Sequence, residues 1–403
     1  MPAFARQNFG RLTVDLVDLP PLAELEAAWR DLEARSEASF FTSWSWIGTW
    51  LRNLPADVQP LLLRARIDDR LMGAGILIPS VVWKARCIPI RTWRLHETGQ
   101  RELDEITIEY NGLVIDASIG HLVEPMMMQY LIDHGSQWDE LQFNALRRPP
   151  LPPKSHRRAG IDWNQTRLKR VRRAAYQINL GDVRQAGQHV QLIKQKTRYH
   201  IRRSLSAFEA FGPVVTEVAQ TVEQALGFLA RLKHYHQAYW DGKNVQGAFS
   251  HPHFNAFHEQ LIRSCFDRGE IQLVAVKAGE QEIAYLYNFV WQGHVYNYQS
   301  GVNYADMGGK NSPGLASHTL TIDLNAGLGH HTYDLMVGDH HYKRALTLQT
   351  VQLDWWSARS PTLPNRVEDS LRKAAGLALQ MSAHTHRLPD WLAASAPVAL
   401  SNL

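Results

Sequence analysis

At 403 residues, with 45% hydrophobic and 20% charged side chains, the chain is too long for one ordinary domain and too apolar to be disordered, collagen-like or a short disulfide scaffold. Its two cysteines, Cys87 and Cys265, lack any partner at metal or redox spacing, so they read as packed thiols and sulfur chemistry is excluded. The opening MPAFARQNFGRLTVDLVDLPPLAEL has no signal-type apolar stretch, and no run reaches membrane-span length, so a soluble cytoplasmic protein is expected.

The formal charge of +4 conceals a concentration of basic residues. Ten lie between Arg147 and Arg173 against one acid, Asp162, and five more lie between Lys194 and Arg203, leaving 28 basic against 38 acidic residues elsewhere. Such local positive potential suits phosphate, RNA or another polyanion, or is only the solvated face of a linker and a helix.

The segment RRPPLPPKSHRRAG, residues 147–160, is too rich in proline for helix or central strand and divides the chain. Before it, helical spacing predicts helices over 20–35 and over 43–54, the second opening on Ser43. Strands are predicted over 61–67, 70–79 and 87–95, a helix over 121–135 and a strand over 138–146. After it come helices over 222–240 and 253–269, strands over 271–279, 282–293 and 294–302, a helix over 313–329 and a strand over 332–338. Both halves run helix, helix, strand, strand, strand, helix, strand, which predicts two copies of one α/β unit. A helical stretch near 366–382 follows.

Only the second copy has a glycine-rich segment, ADMGGKNSPGLASH, between its third strand and the next helix. Gly308, Gly309 and Gly314 permit close backbone approach, Lys310 adds a cation, and Asn311 and Ser312 precede Pro313 at the first helical position. Backbone N–H groups there would suit a pyrophosphate, or the segment is an ordinary glycine turn. It is neither a P-loop nor a dinucleotide fingerprint. The nineteen histidines lack the spacing of a known metal site, and Trp44, Trp46 and Trp50 read as packing residues rather than a sugar platform.

The segment 296–346, with its aromatic strand, Tyr304, Ser312-Pro313-Gly314, Gly329, Asp334-Leu335, Gly338-Asp339 and Tyr342-Lys343, resembles the CelD-like group of GNAT-superfamily acetyltransferases. ASFFTSWSWIGTWLRNL (38–54) and TRYHIRRSLSAFEAFGPV (197–214) are similar to that family's opening aromatic helix and basic helix. The family's usual R/Q-x-x-G-x-G/A loop is not present as such, and the 308–314 loop stands in its place.

The resemblance implies tandem GNAT-like mixed-sheet domains with helices on both faces, akin to Fem-type transferases. The divisions would be a degenerate first copy over 1–150, a basic linker over 151–175, a catalytic copy over 176–360 and a C-terminal helix and tail over 361–403. It implies an acetyl-CoA or longer acyl-CoA donor, no metal, and an amine acceptor such as an amino sugar or a precursor of bacterial cellulose or other envelope polysaccharide.

Acyl transfer from a thioester needs a base for the amine, a donor to the oxyanion and an acid for the thiolate. Asp339 and His340 are the candidate bases, Tyr342 the acid, and Lys343 the stabiliser of negative charge. Tyr285, Tyr296, Tyr298 and Asp334 are candidates for the acceptor pocket. The alternatives are a Fem-like aminoacyl-tRNA-dependent transferase, with the basic segments on RNA, and a non-catalytic nucleic-acid or assembly module.

Overall fold

The computed structural model describes residues 7–9, 11–148, 167–307, 309 and 311–383. The first half holds β1 (Gln7–Phe9), β2 (Leu12–Asp18), α1 (Leu22–Glu33), α2 (Trp44–Asn53), β3 (Leu61–Ile67), β4 (Arg70–Lys84), β5 (Ile88–Leu95), α3 (Arg101–Asp104), β6 (Val114–Ile115), α4 (Gly120–Asp133) and β7 (Glu140–Leu146). The second holds β8 (Arg167–Asn179), α5 (Leu180–Ala186), α6 (Gln195–Phe208), β9 (Val214–Val218), α7 (Val222–Asp241), α8 (Pro252–Cys265) and β10 (Ile271–Ala278). It continues with β11 (Gln281–Trp291), β12 (His294–Val302), α9 (Tyr304–Met307), α10 (Pro313–Gly327), β13 (Thr332–Val337), α11 (His341–Leu346), β14 (Thr350–Arg359) and α12 (Leu363–Ala383).

All fourteen strands join one mixed sheet, ordered β1-β2-β3-β4-β5-β7-β14-β8-β13-β12-β11-β10-β9, with β6 beside β4. Helices cover both faces because the strands are apolar on both. On β10, Ile271, Leu273 and Ala275 pack with α7 and α8, while Val274, Val276 and Ala278 pack towards α6 and α10. Leu25, Trp29 and Leu32, at helical spacing, bury one stripe of α1. The indoles of Trp44, Trp46 and Trp50 are buried, so the aromatic run of α2 is core.

The repeated order is present: α1, α2, β3, β4, β5, α4, β7 corresponds to α7, α8, β10, β11, β12, α10, β13. Among the described strands, parallel pairing joins β5 to β7 and β12 to β13, the matching pair in each copy. Both β7 and β13 then kink through a bulge of two residues against one, and the second bulge residue is left-handed in each, Ala145 at φ +54° and Met336 at φ +65°.

The strands that follow the two copies are exchanged. β8, after the first copy, pairs with β13 of the second; β14, after the second, pairs with β7 of the first; and the two exchanged strands pair with each other from Thr350–Tyr176 to Arg359–Arg167. The basic stretch expected to belong to a linker through residue 175 is therefore a central strand from Arg167 onwards. Alternation along it made this hard to read: Ala175, Tyr176 and Ile178 are buried, but the arginines before them are satisfied across the ladder. Arg170 and Arg172 pair with the buried Asp354, and the Arg173 guanidinium lies 4.8 Å from the Trp355 ring centre. The proline-rich run itself, from 149 to 166, lies outside the described residues, as do Gly308, Lys310 and the tail beyond 383. Cys265 is buried as expected, but Cys87 is exposed because it falls in the β4–β5 turn.

Gly301 shows how closely α7 lies on β12: a β-carbon there would sit 2.2 Å from the Leu232 carbonyl oxygen. Backbone cannot yield as a side chain can, so Gly301→Ala is expected to destabilise the protein by about 1–3 kcal/mol, read as a lower urea midpoint at unchanged slope.

Candidate active site

β12 and β13 run side by side only from His294–Thr332 to Tyr296–Asp334. Beyond that point β12 stays with β11, passing through a bulge at Tyr298, while β13 turns at its own bulge towards β8. The strands part, and a cleft opens between them.

Asp334 sits at the apex, fully buried. Its Oδ2 accepts hydrogen bonds from the Tyr110 hydroxyl, from Gln177 Nε2 at 2.9 Å and from His294 Nε2 at 3.1 Å, and its Oδ1 accepts the Met336 N–H at 2.7 Å. A buried carboxyl needs this number of donors, and they come from β8, β12, β13 and the first copy. At the corresponding place in the β7 bulge stands Phe143, packed against Trp356.

One side of the bulge faces Lys343 from α11. Its ammonium donates to the carbonyl oxygens of Val337 at 2.6 Å and Met336 at 3.2 Å, and burial lowers its pKa to about 8 against the opposing pull of Glu109 and Asp334. The Val337 N–H donates to Glu109 Oε2 at 2.9 Å. Burial pushes Glu109 up to about 7, opposed by that N–H and by Lys343. Glu109 and Tyr110 belong to the first copy, on the segment between α3 and β6, and cross to the second copy's cleft.

The predicted site residues are distributed as follows. Tyr342 is one residue before Lys343, and its ring stacks on the buried His318 of α10 at 5.3 Å. Burial raises the Tyr342 pKa, so it keeps its proton, and burial together with Lys343 and His189 brings His318 down to about 3. Asp339 and His340 sit on the exposed rim. Asp339 accepts from the Tyr176 hydroxyl at 2.6 Å and pairs with Arg344, which together depress its pKa and make it a poor base. Burial and Lys343 lower His340.

Tyr296 stacks on His294 at 4.1 Å and meets Tyr110 at 5.4 Å, so it belongs to the Asp334 cluster. Tyr298 donates to the Ile106 carbonyl of the first copy. Tyr285 lies farther along β11, where its hydroxyl donates to Glu282 at 2.7 Å and its ring packs on Phe228.

The loop from β12 to α10 begins with the short α9 rather than with open chain, because Asn303 Oδ1 accepts the Asp306 N–H. Gly309 takes φ +66° with open space around it. Among the described residues no side chain caps α10, whose first residue is Pro313. The Ser312 N–H is held by Ser204 Oγ of α6 at 2.9 Å, which brings the basic helix against this loop. A β-carbon on Gly314 would lie 3.0 Å from the Tyr304 hydroxyl. Among the described residues, buried polar atoms of α10 just beyond, Ser317 Oγ, His318 Nδ1 and Thr319 Oγ1, have no hydrogen-bond partner. Among the described residues no group of three or more His, Cys, Asp or Glu is placed to hold a metal, and no helix is long and apolar enough to cross a membrane.

Glu109, Tyr110, Gln177 and His294 were not singled out in the sequence. Asp334 was, and setting the two copies side by side gives the signal that isolates it, a buried acid where the first copy has Phe143.

A carboxyl whose folded pKa is raised costs stability as pH rises from its unfolded to its folded value. Glu109→Gln is therefore expected to raise the melting temperature relative to the native protein at pH 8.5 by more than at pH 5, and an equal difference at both would contradict this assignment. Asp334→Asn, which removes the acceptor of four donors, is expected to cost about 3 kcal/mol in chemical denaturation.

Residues 195–344 match the family model described as acetyltransferase (GNAT) domain. No curated protein matches the chain in sequence. Among solved structures, FemX aligns over 85% of this chain and 96% of its own, at 10% identity and TM-score 0.49. The C-terminal domain (DUF2156) of a putative lysylphosphatidylglycerol synthetase from Agrobacterium fabrum aligns over 89% and 97%, at 10% identity and TM-score 0.48. A tandem GNAT protein of the clavulanic acid biosynthesis pathway aligns over 86% and 98%, at 12% identity and TM-score 0.41. Residues 195–344 are therefore similar in sequence to GNAT acetyltransferase domains.

Proposed function

We propose that the protein moves an acyl group from a CoA thioester to an amine acceptor in the cleft between β12 and β13. The observation that carries this reading is the parting of those strands beside an uncapped helix N-terminus, with Lys343 and Tyr342 on the helix just past β13. The donor's pyrophosphate would lie on the loop of Gly308, Gly309, Lys310, Asn311, Ser312 and Gly314 and its thioester would point towards Tyr298 and Asp334. The unpartnered Ser317 and His318 would face the pantetheine amides, which can satisfy them.

In this arrangement the Lys343 ammonium stabilises charge developing on the thioester oxygen, and the Tyr342 hydroxyl protonates the departing thiolate. Tyr296, Tyr298 and Asp334 shape the acceptor side. Tyr285, engaged by Glu282, has no part in it, and Asp339 and His340 border the entrance. The resemblance of 296–346 to CelD-like acetyltransferases supports an amino-sugar or envelope-polysaccharide precursor as acceptor. The basic stretch from Arg167 to Arg173 gives less support to an RNA-dependent donor, since Arg170, Arg172 and Arg173 are engaged within the sheet.

A thermal-shift series across acyl-CoA chain lengths, with tRNA as the competing ligand, tests the donor. Stabilisation by acyl-CoA is expected; stabilisation by tRNA alone would overturn the reading. Once an acceptor is found, Tyr342→Phe should reduce kcat by about 10²-fold while the CoA-induced shift is retained.

A further inference from the structure

We propose that Glu109, carried by the first copy into the second copy's cleft, is the base that takes the proton from the acceptor amine. This rests on the acyl-transfer reading above and adds to it a working part supplied by the copy expected to be degenerate.

The placement is built by the first copy's own fold. Where β5 and β7 would part, the segment after β5 closes the gap: the Asn111 N–H donates to the Ala145 carbonyl oxygen at 3.0 Å, Asn111 Nδ2 donates to Leu95 O at 3.0 Å, and Asn111 Oδ1 bonds the buried His96 Nδ1 at 2.8 Å. The first copy's cleft is thereby sealed by its own chain. The residue before this anchor, Tyr110, is held in the left-handed region at φ +50°, a conformation a tyrosine keeps only when its surroundings hold it. That turn sends Tyr110 to Asp334 and Glu109 to the Val337 N–H.

Three carboxyls surround the β13 bulge, and their hydrogen bonding separates them. Asp334 spends both oxygens on four donors, and Asp339 is exposed and held by Arg344 and Tyr176. Glu109 uses Oε2 on one backbone N–H, and among the described residues its Oε1 makes no hydrogen bond. A buried carboxylate with one oxygen fixed and the other available has the form of a general base. The charged and titratable groups facing it are Lys343 and Tyr342 from α11, Asp334 from β13, Arg173 from β8, Tyr298 from β12 and its neighbour Tyr110.

The step balances. The amine nitrogen forms a bond to the thioester carbon, the carbonyl π pair moves to oxygen, and the N–H proton passes to Glu109 Oε1. Collapse then breaks the C–S bond, and the thiolate takes the Tyr342 proton. Glu109 returns its proton to, and tyrosinate regains one from, water, so the net change is one proton moved from nitrogen to sulfur.

The test begins with acetyl-CoA and a screen of amines, reading thiol release. If no amine releases thiol, the acyl-transfer reading itself fails, and this inference with it. With an active amine, Glu109→Gln is expected to lower kcat by about 10²–10⁴-fold and to remove the acidic limb of the pH profile, with the acetyl-CoA thermal shift unchanged. Activity within about threefold of the native protein, or loss of the acetyl-CoA shift together with activity, would overturn the proposal and leave Glu109 a structural residue. Should the glutamine variant fail to fold, the native profile decides: kcat should rise with pH through about 7, and a profile flat from about pH 5 to 9 would overturn it.

Discussion

The geometry of the site depends on satisfying one buried carboxyl. Asp334 has no contact with water, and an unsatisfied carboxyl there would cost several kcal/mol. Four donors meet that demand, and each fixes a different part: Gln177 fixes β8, His294 fixes β12, the Met336 N–H fixes the bulge, and Tyr110 fixes the first copy's crossing segment. The bulge in turn aims two carbonyls at Lys343 and one N–H at Glu109. The cation and the carboxyl owe their positions, and hence their shifted pKa values, to a backbone irregularity that Asp334 holds in place.

The two copies show what the same irregularity does without the acid. β7 kinks as β13 does, at Ala145 instead of Met336, but Phe143 stands where Asp334 would be and Asn111 takes the free carbonyl. An apolar residue thus stands at the apex, and backbone hydrogen bonds close the mouth. The copies differ in these substitutions and in the β12 bulge at Tyr298, a break in register that the β4–β5 pairing does not have.

Much of the fold was legible because it is written in local periodicity. The order of helices and strands in each copy, the hairpins at Gly279 and Gly293 and the core role of Trp44, Trp46 and Trp50 follow from spacing and turn chemistry. Pairing between distant segments was not legible. β8 reads as a charged linker because Arg170 and Arg172 find their acid, Asp354, some 180 residues away on β14. Glu109 was missed for the same reason, since its meaning comes from Val337 and Lys343, and the segment around it has the periodicity of neither helix nor strand. Asp339 and His340 were chosen by proximity in sequence to the end of β13, and such proximity does not distinguish a rim from an interior.

The exchange of β8 and β14 bears on how the molecule can move. Two lobes joined by a tether would open their shared crevice by swinging apart. Here each lobe's last strand is laced into the other's edge, and ten consecutive residue pairs would have to separate first. The ladder between β8 and β14 therefore ties the two lobes on either side of the crevice to each other, and the crevice cannot widen by hinge motion while that ladder holds.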